Sequence, residues 1–188
     1  MRFILLIAAL LAAPARAAEF DLAALMEMLA QVPAARNSFT ETKHSAVLTE
    51  PLLLKGVLVY ARPDRLEKNV LSPFDERTTI ADNYVTIDNR TLKQKRSFAL
   101  SASAAISALV ESMRATLAGD RVALERHYHV RLEGRAEAWL LSLTPREPKL
   151  AALVKRIQIA GARERLKRIE IEEAAGDRSV MQINADSP

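Results

Sequence analysis

Two histidines separated by a single residue are the most metal-like feature of the chain. His127 and His129 lie on either side of Tyr128, and on a strand their imidazoles would point to one face, where they could share a zinc ion. No third ligand accompanies them, and Arg131 falls on the same face with a charge that opposes a cation. We therefore interpret both histidines as exposed surface residues and predict no metal site.

Acid and base catalysis would require carboxylates in a paired arrangement. Four carboxylates come into consideration: Glu41, Glu67, Asp75 and Glu76. The alternation around them predicts solvent exposure, and nothing in the sequence pairs them. No serine lies in a Gly-x-Ser-x-Gly elbow, the five glycines occur singly, and there is no cysteine. We therefore expect neither an enzyme nor a bound cofactor.

The N-terminal residues have the layout of a secretory signal peptide. A positive charge at Arg2 precedes an apolar run and then a stretch of small residues. Cleavage after Ala17 would remove residues 1–17 and leave residues 18–188 as a single domain. Because no cysteine is available to carry an acyl anchor, we expect a soluble protein of the bacterial periplasm.

The balance of charge gives little support to nucleic-acid binding. The chain has 27 basic and 23 acidic residues, and loss of Arg2 and Arg16 with the signal peptide leaves 25 basic residues against 23. Both kinds of charge are mixed along the sequence, as on a solvated surface. We therefore expect no nucleic-acid partner.

Alternation typical of strands dominates the rest of the chain. We predict strands at 38–48, 52–62, 65–71, 77–81, 84–88, 92–98, 127–133, 138–144, 154–160, 166–173 and 178–184. Amphipathic helices are predicted at 21–32 and at 103–118, with a short helical turn at 120–125. The pattern predicts a mainly β, α+β fold, in which an open, strongly curved antiparallel sheet or incomplete barrel is closed by a helical lid.

Arg62 ends a predicted strand immediately before Pro63, where the backbone is constrained. It could be an exposed arginine at a turn. It could equally lie at the rim of the barrel and donate several hydrogen bonds to helix carbonyls or to a lipid head group. The residues alone leave both interpretations open.

Several short segments in succession resemble one protein family. They are Phe39-Thr40-Glu41, Gly56-Val57-Leu58-Val59-Tyr60, Arg62-Pro63, Pro73, Thr79-Ile80-Ala81-Asp82 and the late strands from Tyr128 to Ile183. In order and spacing the chain resembles periplasmic outer-membrane lipoprotein carrier proteins of the LolA type. The resemblance implies an open curved sheet with a concave apolar face under helices, and a protein that ferries acylated cargo across the periplasm.

The resemblance also assigns roles to residues and partners. Arg62 matches the family's arginine before proline, which is thought to hold the lid closed. The family usually continues with aromatic residues, whereas this chain has Asp64-Arg65-Leu66-Glu67-Lys68, which indicates a LolA-related paralogue. Its cargo would be a lipoprotein, a glycolipid or another fatty-acyl product. An inner-membrane exporter and an outer-membrane acceptor would be its partners, and we expect a monomer.

Strand parity and helix stripes predict the residues that line the cargo site. From the strands these are Leu58, Tyr60, Leu66, Ile80, Val85, Ile87, Trp139, Leu141, Ile157, Ile169 and Ile171. From the lid they are Leu25, Met26, Ile106, Leu109, Val110 and Met113. Parity does not decide which face is concave, and the same side chains could fill a closed core. Alternative functions are a sensor or scaffold module that binds a protein partner and, less in keeping with the sequence, an exported hydrolase.

Overall fold

An antiparallel sheet of eleven strands forms most of the protein in the computed structural model, which describes residues 20–185. The strands are β1 (Ala34–His44), β2 (Leu52–Ala61), β3 (Arg65–Ser72), β4 (Glu76–Ala81), β5 (Tyr84–Asn89), β6 (Gln94–Ala99), β7 (Tyr128–Arg135), β8 (Ala138–Pro145), β9 (Val154–Ala162), β10 (Arg165–Glu173) and β11 (Arg178–Ala185). The helices are α1 (Leu22–Ala30), α2 (Ala104–Ala118), α3 (Arg121–His127) and α4 (Pro148–Ala151), and a 3₁₀ turn covers Leu100–Ala102. The signal peptide predicted at residues 1–17 lies outside the described residues.

The sheet is built from two meanders that meet at β1 and β11. Strands β1 to β6 follow one another in space on one side, and β7 to β11 do so on the other. The two meanders are joined by the antiparallel pairing of β1 with β11, in which Phe39 lies opposite Ile183. Within residues 20–185, β6 and β7 are the two edges of the sheet, so it does not close into a barrel. The predicted open antiparallel sheet is confirmed.

Helices α2 and α3 connect these two edges. The Ser103 side chain accepts a hydrogen bond from the backbone N–H of Ile106 at 3.3 Å, which caps the first turn of α2. Gly119 ends the helix with a φ of 71°, in the left-handed region that favours glycine. A Cβ on Gly119 would lie 2.1 Å from the backbone oxygen of Met26, so this glycine also lets α2 end close against α1.

The first strand differs from its predicted bounds. It begins at Ala34 rather than at residue 38 and ends at His44 rather than at residue 48. The earlier start follows from its pairing with β2, in which Ala34 lies opposite Ala61. A ladder partner extends a strand beyond the point where its own alternation is clear. The earlier end coincides with a turn in which the N–H of Leu48 donates a hydrogen bond to the carbonyl of Ser45 at 3.1 Å.

The start of one strand and the presence of one short helix were also not predicted correctly. Strand β6 begins at Gln94 rather than at residue 92, because Asn89 Oδ1 accepts a hydrogen bond from the N–H of Leu92 at 2.8 Å and holds that residue in a turn. The short helix α4 was missed. It has Pro148 in its first turn and buries Leu150, and four residues are too few for a periodic signal.

Strand alternation gives the sheet an inner and an outer face. The inner face carries side chains such as Leu58, Leu66 and Ile169, and α1 and α2 lie over it. Side chains of β1 to β4 and of β9 to β11 line one common cavity on this face. Since strands from both meanders surround the same space, the sheet must curve around it.

Candidate functional site

A large cavity lies between the inner face of the sheet and the helices α1 and α2. Its volume is about 1140 Å³, which exceeds the roughly 300–1,000 Å³ of ordinary small-molecule pockets. The apolar wall from the sheet includes Leu58, Tyr60, Leu66, Ile80, Ile157, Ile159, Ile169, Ile171, Met181 and Ile183. Leu29, Leu109, Met113 and Leu117 of the helices complete the wall, together with Val32, which follows α1. The arrangement can shield a long apolar ligand from water.

Nine of the residues predicted from parity and helix stripes lie in this lining. They are Leu58, Tyr60, Leu66, Ile80, Leu109, Met113, Ile157, Ile169 and Ile171. Ile159, Met181 and Ile183 were not predicted, although they alternate on β9 and β11 in phase with the rest. For Ile159 the signal was usable, since it lies two residues after the predicted Ile157 on the same strand. Met181 lies opposite Ile169 of β10, a position that only the strand register reveals.

The other predicted residues lie on the inner face or on the lid helices but outside the cavity lining. Trp139 and Leu141 are buried beneath α1 and α3, where they form one cluster with Leu25 and Met26. Here side chains of the helices pack directly against those of the sheet. Strand parity identifies a shared face, whereas the position of the helices decides how much of that face is filled.

A second filled region lies at the β6 edge. Val85 and Val110 are buried there together with Leu100, and further apolar side chains pack around them. Among the surrounding residues, Ile87 and Ile106 were predicted as lining but lie outside the cavity, whereas Ile80 lies in its lining. The first turns of α2 are therefore packed against β5, and the cavity lies under the later turns.

Arg62 lies at the rim of the cavity, where the two lid helices end. Its Nη2 donates hydrogen bonds to the carbonyl oxygens of Ala30 and Ala118, the latter at 3.3 Å. These are the last residues of α1 and α2, whose C-terminal carbonyls have no partner within the helix. A guanidinium is well placed there, because its charge also complements the negative end of each helix dipole.

A reciprocal contact runs from α2 back to the same turn. Arg114 Nε donates a hydrogen bond to the backbone oxygen of Asp64 at 3.1 Å, and its Nη2 lies 3.7 Å from the Asp64 carboxylate. That carboxylate also accepts a hydrogen bond from the N–H of Asp82 at 3.1 Å. Arg62 of the turn between β2 and β3 therefore bonds to α2, and Arg114 of α2 bonds to the same turn. The contact of Arg114 was not predicted from the sequence.

The prediction that Glu41 is exposed to solvent was wrong. The residue is 3 % exposed, its Oε2 accepts a hydrogen bond from Lys68, and its Oε1 accepts one from Ser179. Burial alone would raise the pKa of Glu41, but the charge and hydrogen bond of Lys68, the hydroxyl of Ser179 and the charge of Lys43 outweigh it and lower the pKa below the ordinary value.

A glycine lets these side chains meet across β2. Gly56 lies on the inner face opposite Phe39 of β1 and Val70 of β3. A Cβ at Gly56 would come within 2.9 Å of the Phe39 ring and 1.9 Å of the Asn69 backbone oxygen. The absence of a side chain allows the close approach of Phe39, over whose ring the Lys68 ammonium lies at 5.5 Å.

The other three carboxylates have basic or amide partners close by. Glu67 accepts hydrogen bonds from Arg65, Asp75 forms an ion pair with Arg90, and Glu76 accepts a hydrogen bond from Asn89 at 3.0 Å. Their partners are local strand and turn neighbours, which accounts for the pairing as a structural feature. Cross-strand neighbours of this kind become visible only once the strand register is known.

The interpretation of His127 as an exposed strand residue was wrong. It is the last residue of α3, and its side chain is only 12 % exposed between two glutamates. Its Nδ1 lies 2.8 Å from Glu147 and its Nε2 lies 3.0 Å from Glu111. His129 is exposed on β7. In the part of the chain that the structure describes, no three His, Cys, Asp or Glu side chains are arranged to hold a metal ion.

An open, curved antiparallel sheet with helices over an apolar cavity is the architecture of a binding fold. The chain belongs to the family described as outer membrane lipoprotein carrier protein LolA-like, whose model matches residues 12–185. None of the helices between residues 20 and 185 is long and apolar enough to cross a membrane.

Solved structures resemble the chain at low sequence identity. A LolA superfamily protein from Nitrosomonas europaea is 11% identical, with 87% of this chain and 93% of that chain covered and a TM-score of 0.44. The MucA/MucB complex of Pseudomonas aeruginosa contains a chain that is 12% identical, with 88% and 56% covered and a TM-score of 0.46. A DUF1329 family protein from Desulfovibrio piger is 10% identical, with 88% and 90% covered and a TM-score of 0.38. A search of curated proteins found no match.

Proposed function

We propose that this protein is a periplasmic carrier that shields the acyl chain of a lipid or lipoprotein between an inner-membrane donor and an outer-membrane acceptor. The apolar cavity beneath α1 and α2 is the observation on which the proposal rests. Each exposed methylene costs about 0.8 kcal/mol in water, so a sixteen-carbon chain would face roughly 12 kcal/mol on leaving a membrane. An enclosed apolar wall offsets most of that cost.

The helical part of the cavity wall is consistent with loading and release. The cavity wall is completed by helices rather than by strands, so a shift of α1 and α2 can widen it without breaking the sheet. The predicted signal peptide and the family membership support a periplasmic location, where ATP is absent and release must depend on binding equilibria.

Lipid binding by the isolated protein tests the proposal. Protein purified from its native host should yield an acyl lipid on extraction and mass spectrometry, and delipidated protein should bind a fatty acid that carries a fluorophore. Failure of the delipidated protein to bind any acyl probe would reject the carrier function. It would favour the alternative of a module that binds a protein partner.

Arg62 is proposed to hold the lid closed, because it is the one side chain that contacts the ends of both lid helices in the described structure. Replacement by leucine removes two hydrogen bonds from a charged donor, which at this exposed position are together worth about 1–2 kcal/mol. We expect R62L to release a fluorescent acyl probe about tenfold faster into acceptor vesicles, measured by stopped-flow fluorescence.

Two variants separate this role from a general loss of charge. R62K keeps the charge but lacks the planar fork, so it should release the probe at an intermediate rate. R131L removes an arginine that is 75 % exposed on β7 and contacts Glu133, and it should release the probe like the wild type. Equal rates for R62L and R131L would contradict the role of Arg62.

A further inference from the structure

The apolar cavity contains a buried ion pair. Glu41 and Lys68 both line it, as does the Ser179 hydroxyl that donates to Glu41. The Lys68 side chain is 28 % exposed, whereas that of Glu41 is 4 % exposed. The lysine is therefore the more accessible member of the pair from the cavity.

The hydrogen-bonding capacity that is accessible to a ligand in this cluster is that of a donor. Each carboxylate oxygen of Glu41 already accepts one hydrogen bond, from Lys68 or from Ser179, and the 4 % exposure of the side chain shields its remaining lone pairs. An ammonium has three N–H donors, and within residues 20–185 Lys68 uses one of them on a side chain. A ligand group that binds here must accept a hydrogen bond, as an ester carbonyl, an amide carbonyl, a carboxylate or a phosphate does.

The charge of the cluster favours a neutral acceptor among these groups. Glu41 cancels the charge of Lys68, and the next charges, Lys43 and Glu76, also have opposite signs. A carboxylate placed beside Lys68 would add an uncompensated negative charge next to Glu41, which costs much in a poorly hydrated site. A carbonyl adds no charge and satisfies a free N–H of the lysine.

We infer that Lys68 binds an uncharged carbonyl, an ester or an amide, at the head of the acyl chain, and that Glu41 makes this subsite select neutral head groups over carboxylates. The inference rests on the proposed carrier function. The ion pair has a structural task as well, since it ties β1 to β3 across Gly56. Selection of the head group is the additional property that a purely structural pair would lack.

The test compares a fatty acid that is fluorescent at its tail with the methyl ester of the same molecule at neutral pH. Since an ester is intrinsically less soluble than a carboxylate, the readout is the change in the ratio of the two affinities between variants. We expect E41Q, which keeps a hydrogen-bonding side chain but leaves the Lys68 charge uncompensated, to shift the ratio at least tenfold towards the carboxylate.

An ion pair on the outer face provides a matched control. Glu170 is 7 % exposed and accepts hydrogen bonds from Arg168 and Arg178 on the side of β10 away from the cavity. E170Q therefore makes the same chemical change outside the binding site and should leave the ratio at the wild-type value. An unchanged ratio in E41Q, or equal shifts in E41Q and E170Q, would overturn the subsite.

A second variant covers the case in which E41Q does not fold. The double variant E41Q/K68M removes both charges together, a replacement that buried ion pairs often tolerate. It should bind the methyl ester about fivefold more weakly than the wild type and bind a probe of equal length without a carbonyl equally well. Equal ester affinity would reject the role of Lys68, whereas loss of binding of every probe by the wild type would reject the carrier function itself.

Discussion

We expect M113D to weaken acyl-chain binding roughly 30-fold with little change in folding stability. Met113 of α2 lines the cavity and is 38 % exposed, so an aspartate at this position can remain hydrated while no ligand is bound. Binding of an acyl chain would then force the carboxylate out of part of its water. Allowing for that partial exposure, a cost of about 2 kcal/mol follows, which corresponds to the expected loss of affinity.

Titration with a fluorescent acyl probe measures the affinity, and urea unfolding measures the stability. V122D is the matched control, because Val122 is 72 % exposed on α3 and does not line the cavity. M113L should bind like the wild type, since it keeps an apolar side chain of similar volume. If M113D and V122D bound the probe equally well, the cavity under α2 would not be the binding site.

The second large effect is expected for W139A, and it concerns stability rather than binding. Trp139 is 2 % exposed, its Nε1 donates a hydrogen bond to the backbone oxygen of Arg163 at 2.8 Å, and its ring lies over Gly161. Removal of a buried tryptophan leaves a void and unsatisfied backbone, at a cost of about 3–5 kcal/mol. Because Trp139 lies outside the lining of the large cavity, the folded fraction should keep its acyl-probe affinity.

Leu58 provides the opposite case on the same face of the sheet. Its side chain is half-buried in the cavity wall, where part of its surface has no protein neighbour to lose. L58A should therefore cost about 1–2 kcal/mol in urea unfolding and should weaken probe binding. L58A is expected to lose both stability and affinity, and W139A only stability. If folded W139A also lost affinity for the probe, the division of the inner face into a filled part and a cavity would be contradicted.

The sequence left open whether the predicted apolar residues line a cavity or fill a closed core, and the division of the inner face answers this question. The predicted set was expected either to line a cavity or to fill a closed core, and its members do both in different places. Trp139 is packed beneath α1 and α3, whereas Leu109 and Ile169 face the open space. Parity is a property of each strand alone, while the filling of a face depends on where distant helices pack.

Local chemistry accounts for the parts of the fold that were predicted correctly. Asp21 and Ser103 cap helices by accepting hydrogen bonds from residues three positions along, and Gly119 ends α2 in a left-handed conformation. These signals act within a few residues, so they can be read directly from the sequence. The alternation of the eleven strands is local in the same sense, and their number and order along the chain followed from it.

The contacts between residues far apart in the chain were decided by the tertiary structure alone. Glu41 meets Lys68 27 positions later, and Arg62 reaches Ala118 56 positions later, through the strand order and the course of α2. His127 was placed wrongly for a related reason, since α3 continues two residues beyond its predicted end and places His127 between two glutamates rather than on β7. The sequence by itself determined which elements form and which side chains share a face, because those properties depend on neighbouring residues. Only the packing of helices against the curved sheet decided where a cavity remains and which charges line it, because that packing depends on the whole chain.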